Sequence, residues 1–181
     1  AKLIVTRGSG GRGYCPPELV QARWSLQGMA APETPLEYYQ HGVQVRSCQL
    51  KLSSQPVLAG MKHLNRLEQV LARAEWQDSS IFDGLLFAQQ DHLIEATVSN
   101  VFLLKDNQLI TPILDQSGVS GVMRAAIEQV CPTVGLSFAE RQIHRSEIAQ
   151  AEALFLSNSV RGIIPVRCWL EDGRTAAQWS V

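Results

Sequence analysis

The 181 residues contain no apolar run approaching the roughly 20 that a membrane-spanning helix needs. Excess charge of one sign is also missing. Sixteen Lys and Arg stand against 17 Asp and Glu for a net charge of −1, so neither nucleic acid nor an anionic membrane is an expected partner. Cys15, Cys48, Cys131 and Cys168 lie far apart with no Cys-x-x-Cys pair, which argues against a zinc ribbon or a compact disulfide framework. Reduced thiols in a cytoplasmic protein are the simpler reading. His41, His63, His92 and His144 are scattered without ligand spacing, so no metal site is expected. No serine sits in a Gly-x-Ser-x-Gly elbow, and no repeat or low-complexity tract is visible. The start, Ala1 to Val5, has no initiator Met and turns into glycine before a secretory apolar region could develop. It reads as a strand caught in mid-course.

What is present suits a globular chain. Hydrophobic residues make up 45% and charged residues 18%, enough apolar material for about one domain at roughly 150 residues each. Lys2 to Thr6 is a β-rich run that stops at the glycine cluster Gly8 to Gly13, with Pro16-Pro17 beyond. Arg23 to Met29 and Val43 to Leu50 read as further strands, and Ala30 to Pro35 as a loop between them. Leu64, Leu67, Val70, Leu71 and Ala74 then recur at helical spacing. Two hairpins follow, Gly84 to Ala88 with Leu93 to Thr97, and Val101 to Leu104 with Leu109 to Thr111. Met123 to Val130 reads as a second helix, and a third is expected with Ser146 as its N-cap. Strands at Phe155-Leu156, Gly162 to Pro165 and Val166 to Leu170 close the chain.

Gly8, Gly10 and Gly13 satisfy Gly-x-Gly-x-x-Gly after a strand, but a dinucleotide turn must open a helix. Tyr14-Cys15-Pro16-Pro17 follows instead, so a glycine loop facing a substrate, carrying Arg7 and Arg12, is the better reading. Lys62 stands between Gly60-Met61 and the first amphipathic helix, a boundary from which a long side chain reaches a cleft. Alone, it is an ordinary surface lysine. Glu95 ends a strand, Asp115 to Gly121 offers backbone N–H groups at a helix start, and Ser157-Asn158-Ser159 ends another strand with small donors. A lysine, a carboxylate and a phosphate cradle are together what pyridoxal 5'-phosphate requires. The lysine condenses with the aldehyde, the carboxylate keeps the pyridine nitrogen protonated, and the amides hold the phosphate.

Four segments, in this order, carry a resemblance: Arg7 to Tyr14, Gly60-Met61-Lys62-His63-Leu64-Asn65-Arg66-Leu67-Glu68-Gln69-Val70-Leu71, Glu95 with Asn100-Val101-Phe102, and Gly118-Val119-Ser120-Gly121-Val122-Met123-Arg124. They resemble the lyase branch of the fold-type IV pyridoxal-phosphate enzymes over nearly the whole chain. The resemblance implies an α+β fold, the large domain of that type, with a sheet or pseudo-barrel and flanking helices. Residues 1–35 would be the remainder of a smaller N-terminal α/β domain and its linker, whose earlier part is not in this chain. Residues 36–181 would be the cofactor-binding domain. Lys62 would be the Schiff-base lysine, Glu95 the partner of the pyridine nitrogen and Arg66 a flanking residue. Val119, Ser120 and Ser159 would contact the phosphate, and Arg7, Arg12 and Tyr14 the substrate. The implied reaction converts 4-amino-4-deoxychorismate to 4-aminobenzoate and pyruvate, for folate biosynthesis. Branched-chain or D-amino-acid aminotransfer, or a non-catalytic cofactor-binding module, are the alternatives; related aminotransferases carry a tyrosine near the place of Arg66, which favours the lyase. The resemblance also implies a cytoplasmic homodimer.

Overall fold

The structure, a computed structural model, describes residues 1–181. The chain forms two compact units, Ala1–Glu33 and Thr34–Val181. In the first, strands β1 (Lys2–Thr6) and β2 (Arg23–Gln27) pair antiparallel, Lys2 opposite Gln27 and Thr6 opposite Arg23. The glycine loop follows β1, and no helix forms before residue 36, so the phosphate-binding turn of a dinucleotide fold is not built here. Gly8 has φ of 97°, and a Cβ there would lie 2.0 Å from the Gln21 carbonyl oxygen. Only glycine lets the loop pass that backbone.

The second unit opens on helix α1 (Leu36–His41) and strand β3 (Val43–Lys51). Helix α2 (Leu67–Arg73) precedes β4 (Ile81–Phe87), β5 (Leu93–Ala96), β6 (Asn100–Lys105) and β7 (Gln108–Pro112). Helix α3 (Val122–Val130), β8 (Ser137–Arg141), β9 (Ala153–Asn158), β10 (Gly162–Glu171) and β11 (Arg174–Gln178) complete it, with 3-10 turns at Cys131–Val134 and Arg145–Gln150. The sheet runs β5-β4-β3-β10-β9-β6-β7-β8, with β11 added on β10. The pairs β3–β4, β3–β10 and β7–β8 are parallel and the others antiparallel.

This order forces curvature. Consecutive strands β5 and β6 occupy the first and sixth places, about 24 Å apart in a flat sheet with strands spaced about 4.8 Å. The connection from Ala96 to Asn100 spans at most about 14 Å. The sheet therefore curls until the two strands meet, and the Ala96 amide donates to the Ser99 carbonyl at 2.7 Å. Alternate side chains then face different cores. Val101, Leu103, Leu85 and Phe87 point into the hollow with Leu154, Leu156 and Ile164. On the outer face Leu86 and Ile94 pack with Ala72 of α2 and with Trp76, and Phe102 packs with Ile127 of α3 and with Cys131.

Several elements differ from the sequence-based expectation. Helix α2 begins only at Leu67, because Arg66 has a non-helical φ of −122°; Leu64 stays in the loop. The expected third helix is a 3-10 turn capped by His144, not Ser146. The imidazole accepts from the Ser146 amide while the Glu147 carboxylate accepts from the His144 amide, so the N-cap lies two residues before Ser146. Strands β8 and β11 carry no clear periodicity, and pairing with β7 and β10 imposes them; the short helix α1 is not evident in the sequence either.

Candidate functional site

Lys62 sits in the irregular segment between Gly60 and α2, with its side chain exposed. Two hydrogen bonds fasten this segment to the stretch before α3: the Gly60 amide donates to the Gly118 carbonyl, and the Ser120 amide to the Gly60 carbonyl, both at 3.0 Å. Arg66 fixes the other side. Its Nε donates to the His63 carbonyl at 2.9 Å and a terminal nitrogen to the Met61 carbonyl at 3.1 Å, so the guanidinium spans the residues that flank Lys62.

Glu95, in β5, is only 4% exposed. Its Oε2 accepts the Val119 amide at 2.8 Å, and its Oε1 accepts Gln69 Nε2 from α2 at 3.3 Å. Burial pushes the carboxyl up to about 7 against the opposing pull of those two hydrogen bonds and of the Arg66 and Lys62 charges. No ion pair engages it. A buried carboxylate with two neutral donors and no cation is under-compensated, and its remaining lone pairs suit a cationic N–H.

Glycine makes the Val119 contact possible. Gly118 has φ of 89°, and a Cβ there would stand 2.7 Å from Leu114 Cδ2 and 2.9 Å from Ile94 Cγ2. Asn100, at the start of β6, donates through Nδ2 to the Val119 carbonyl at 2.7 Å. Its Oδ1 lies where a Cβ on Gly121 would come within 2.3 Å. Opposite Asn100 in the ladder is Ser157 of β9, 1% exposed, with a hydroxyl that finds no partner. Ser159 follows in the β9–β10 turn, exposed.

The structure thus ties Arg66, Glu95, Val119 and Ser120 by hydrogen bonds to one another or to the segment that carries Lys62, whose own side chain is unbonded. The Val119 and Ser120 amides, expected as phosphate donors, are committed to Glu95 and to the Gly60 carbonyl. Arg7, Arg12 and Tyr14 belong to the first unit, where their side chains are exposed. Gln69 and Asn100 were missed as site residues. Gln69 lies one helical turn beyond the Lys62 segment and Asn100 heads a strand, but nothing in their spacing shows that each reaches a partner distant in sequence.

The curled mixed sheet with few flanking helices is that of the fold-type IV pyridoxal-phosphate enzymes. Comparison with known proteins makes the assignment specific. The chain belongs to the amino-transferase class IV family, whose model matches residues 1–169. It is similar to the crystal structure of 4-amino-4-deoxychorismate lyase from Pseudomonas aeruginosa, with TM-score 0.93 and 44% identity over 99% of this chain and 64% of that one. It is 36% identical to an aminodeoxychorismate lyase of Vibrio harveyi over 91% of this chain and 61% of the relative. A D-alanine aminotransferase of Bacillus licheniformis is 30% identical over 64% of this chain and 40% of its own length. The chain therefore spans less than two thirds of each of these relatives.

Proposed function

We propose that the protein carrying this chain is a pyridoxal-phosphate-dependent lyase that converts 4-amino-4-deoxychorismate to 4-aminobenzoate and pyruvate. The observation that carries the cofactor is Glu95: a nearly buried carboxylate, pushed up to about 7 by burial and engaged in no ion pair, fits a protonated pyridine nitrogen. The choice of reaction rests on similarity, which is higher to lyases than to the aminotransferase.

When bound, the cofactor supplies an aldehyde for the substrate amine and a ring that withdraws electrons from the amine-bearing carbon. The residues of this chain do the rest. Glu95 holds the ring nitrogen protonated, and the two donors that fix both its oxygens keep it pointed. Lys62 would hold the aldehyde, and its Nζ would take the proton from the amine-bearing carbon of the substrate and return one to the departing enolpyruvate. Arg66 holds the backbone around that lysine. Aromatisation of the substrate ring favours the forward direction, so positioning is the main demand on the protein. Ser120 and Ser159 are assigned to the phosphate end. With the Val119 and Ser120 amides already engaged, the Ser120 hydroxyl and the open amides in the first turn of α3 are the donors left on that segment. Arg7, Arg12 and Tyr14 are assigned to the substrate.

In this reading residues 1–35 are the end of a smaller domain, and the protein acts as a cytoplasmic homodimer; family resemblance supports both. No helix is long and apolar enough to cross a membrane. The test combines an absorbance titration with pyridoxal phosphate and an assay for 4-aminobenzoate release, alongside amino transfer to a 2-oxo acid. The expected result is a long-wavelength band and product in the wild type, both lost in Lys62→Ala. Amino transfer faster than product release would replace the lyase by an aminotransferase.

A further inference from the structure

Between Glu95 and Asn100 the chain reverses through Thr97, Val98 and Ser99, and this reversal is held by a carboxylate that the mechanism does not use. Asp83, in β4, is 1% exposed. It accepts the Gly84 amide at 2.8 Å, the Thr97 amide at 3.0 Å, the Thr97 hydroxyl at 2.5 Å and the Ser99 hydroxyl at 3.2 Å. Two backbone amides and two hydroxyls converge on it, and their hydrogen bonds hold the carboxylate against the pull of burial toward its protonated form.

The Ser99 hydroxyl donates to Asp83 Oδ2 and, through a lone pair, accepts Asn158 Nδ2 at 3.3 Å. The amide of Asn158 is thereby oriented, and its Oδ1 accepts the Val160 and Arg161 amides at 3.0 and 2.8 Å. These two bonds close the β9–β10 turn, whose exposed residue is Ser159. The next residue after Ser99 is Asn100, which holds the Val119 carbonyl. One reversal of three residues therefore touches both segments assigned to the phosphate end, and its near side carries Glu95.

We propose that Ser99 and Asn158 are a positioning pair, oriented by Asp83, that fixes the Ser159 turn at the distance from the Glu95 strand which the phosphate of the cofactor requires. The pair makes no contact with the cofactor and acts through the turn. The inference rests on the cofactor reading above, and its test separates the two.

Affinities for pyridoxal phosphate and for pyridoxal, which lacks the phosphate, are measured by absorbance on the purified protein, wild type and two variants. Ser99→Ala removes the acceptor. Asn158→Ser removes the donor, keeps a side-chain oxygen that can accept in the turn and adds no charge beside the phosphate segment. Both variants are expected to bind pyridoxal phosphate about tenfold more weakly and pyridoxal as the wild type does, and the double variant to be no worse than either single one. A residue that only supports the fold would weaken both ligands together. Equal losses for the two ligands, or no loss in either variant, overturn the positioning role. A wild type that does not prefer pyridoxal phosphate over pyridoxal overturns the cofactor reading itself.

Discussion

Glu95 concentrates the chemistry of the site because its two oxygens meet only neutral donors while burial strips it of water. Its carboxyl rises from 4.5 to about 7, so between those values the folded protein holds a proton that the unfolded chain has released. Stability without cofactor therefore falls as pH rises through that window, by about 3 kcal/mol in all for such a shift. Denaturant midpoints of cofactor-free protein should be higher at pH 5 than at pH 7.5. Glu95→Gln should flatten this difference, since the Gln69 amide can turn to accept the new N–H; an unchanged slope would remove Glu95 as its source. Gly118 invites a sharper test. In Gly118→Ala the added methyl meets Leu114 and Ile94 at under 3 Å in a left-handed backbone, so the Val119 amide shifts off Glu95. Stability should drop by about 1–3 kcal/mol, and pyridoxal phosphate affinity, read by absorbance titration, should fall with it.

Strands and helices show where the sequence can be read and where it cannot. Gly84 to Ala88 and Val101 to Leu104 are short apolar runs that meet the turn residues Gln89-Gln90-Asp91 and Lys105-Asp106-Asn107, so the β4–β5 and β6–β7 hairpins are legible, with Leu85, Phe87, Val101 and Leu103 turned into the hollow. Phe102 shows the other face: it is buried, stacks on Phe155 with centroids 4.9 Å apart and lies under α3. Phe102→Ala should cost about 3–5 kcal/mol, seen as a lower denaturant midpoint. A loss under 1 kcal/mol would mean that the outer core closes over the gap. Strand β8 was invisible because Ser137 to Arg141 is polar at three of five positions and half-exposed; it exists by parallel pairing with β7. The site divides the same way. Lys62, Glu95 and the glycines before α3 stand out by type and place. Gln69, Asn100 and Asp83 do not, because their partners lie 26, 19 and 14 residues away, and those approaches follow from sheet order.

At the scale of the whole molecule, the two units differ in what holds each of them folded. All three hydrophobic clusters lie in residues 34–181, whereas the first unit is one hairpin whose strand residues are almost all exposed. Two strands alone are marginal in water. Residues 28–34 are without regular structure and almost wholly exposed, which makes this stretch the place where a protease should cut first. Limited proteolysis followed by mass spectrometry should therefore release a fragment beginning near residue 30 that stays folded. Lys62, Arg66, Glu95, Ser120 and Ser159 all remain in that fragment, so it should keep the absorbance band of bound pyridoxal phosphate. Arg7, Arg12 and Tyr14 leave with the first unit; if they contact the substrate as proposed, release of 4-aminobenzoate should fall by at least about tenfold, the loss of one charged contact. A fragment that loses the band would place essential cofactor contacts in the first unit. One that keeps full turnover would take the substrate assignment away from those three residues.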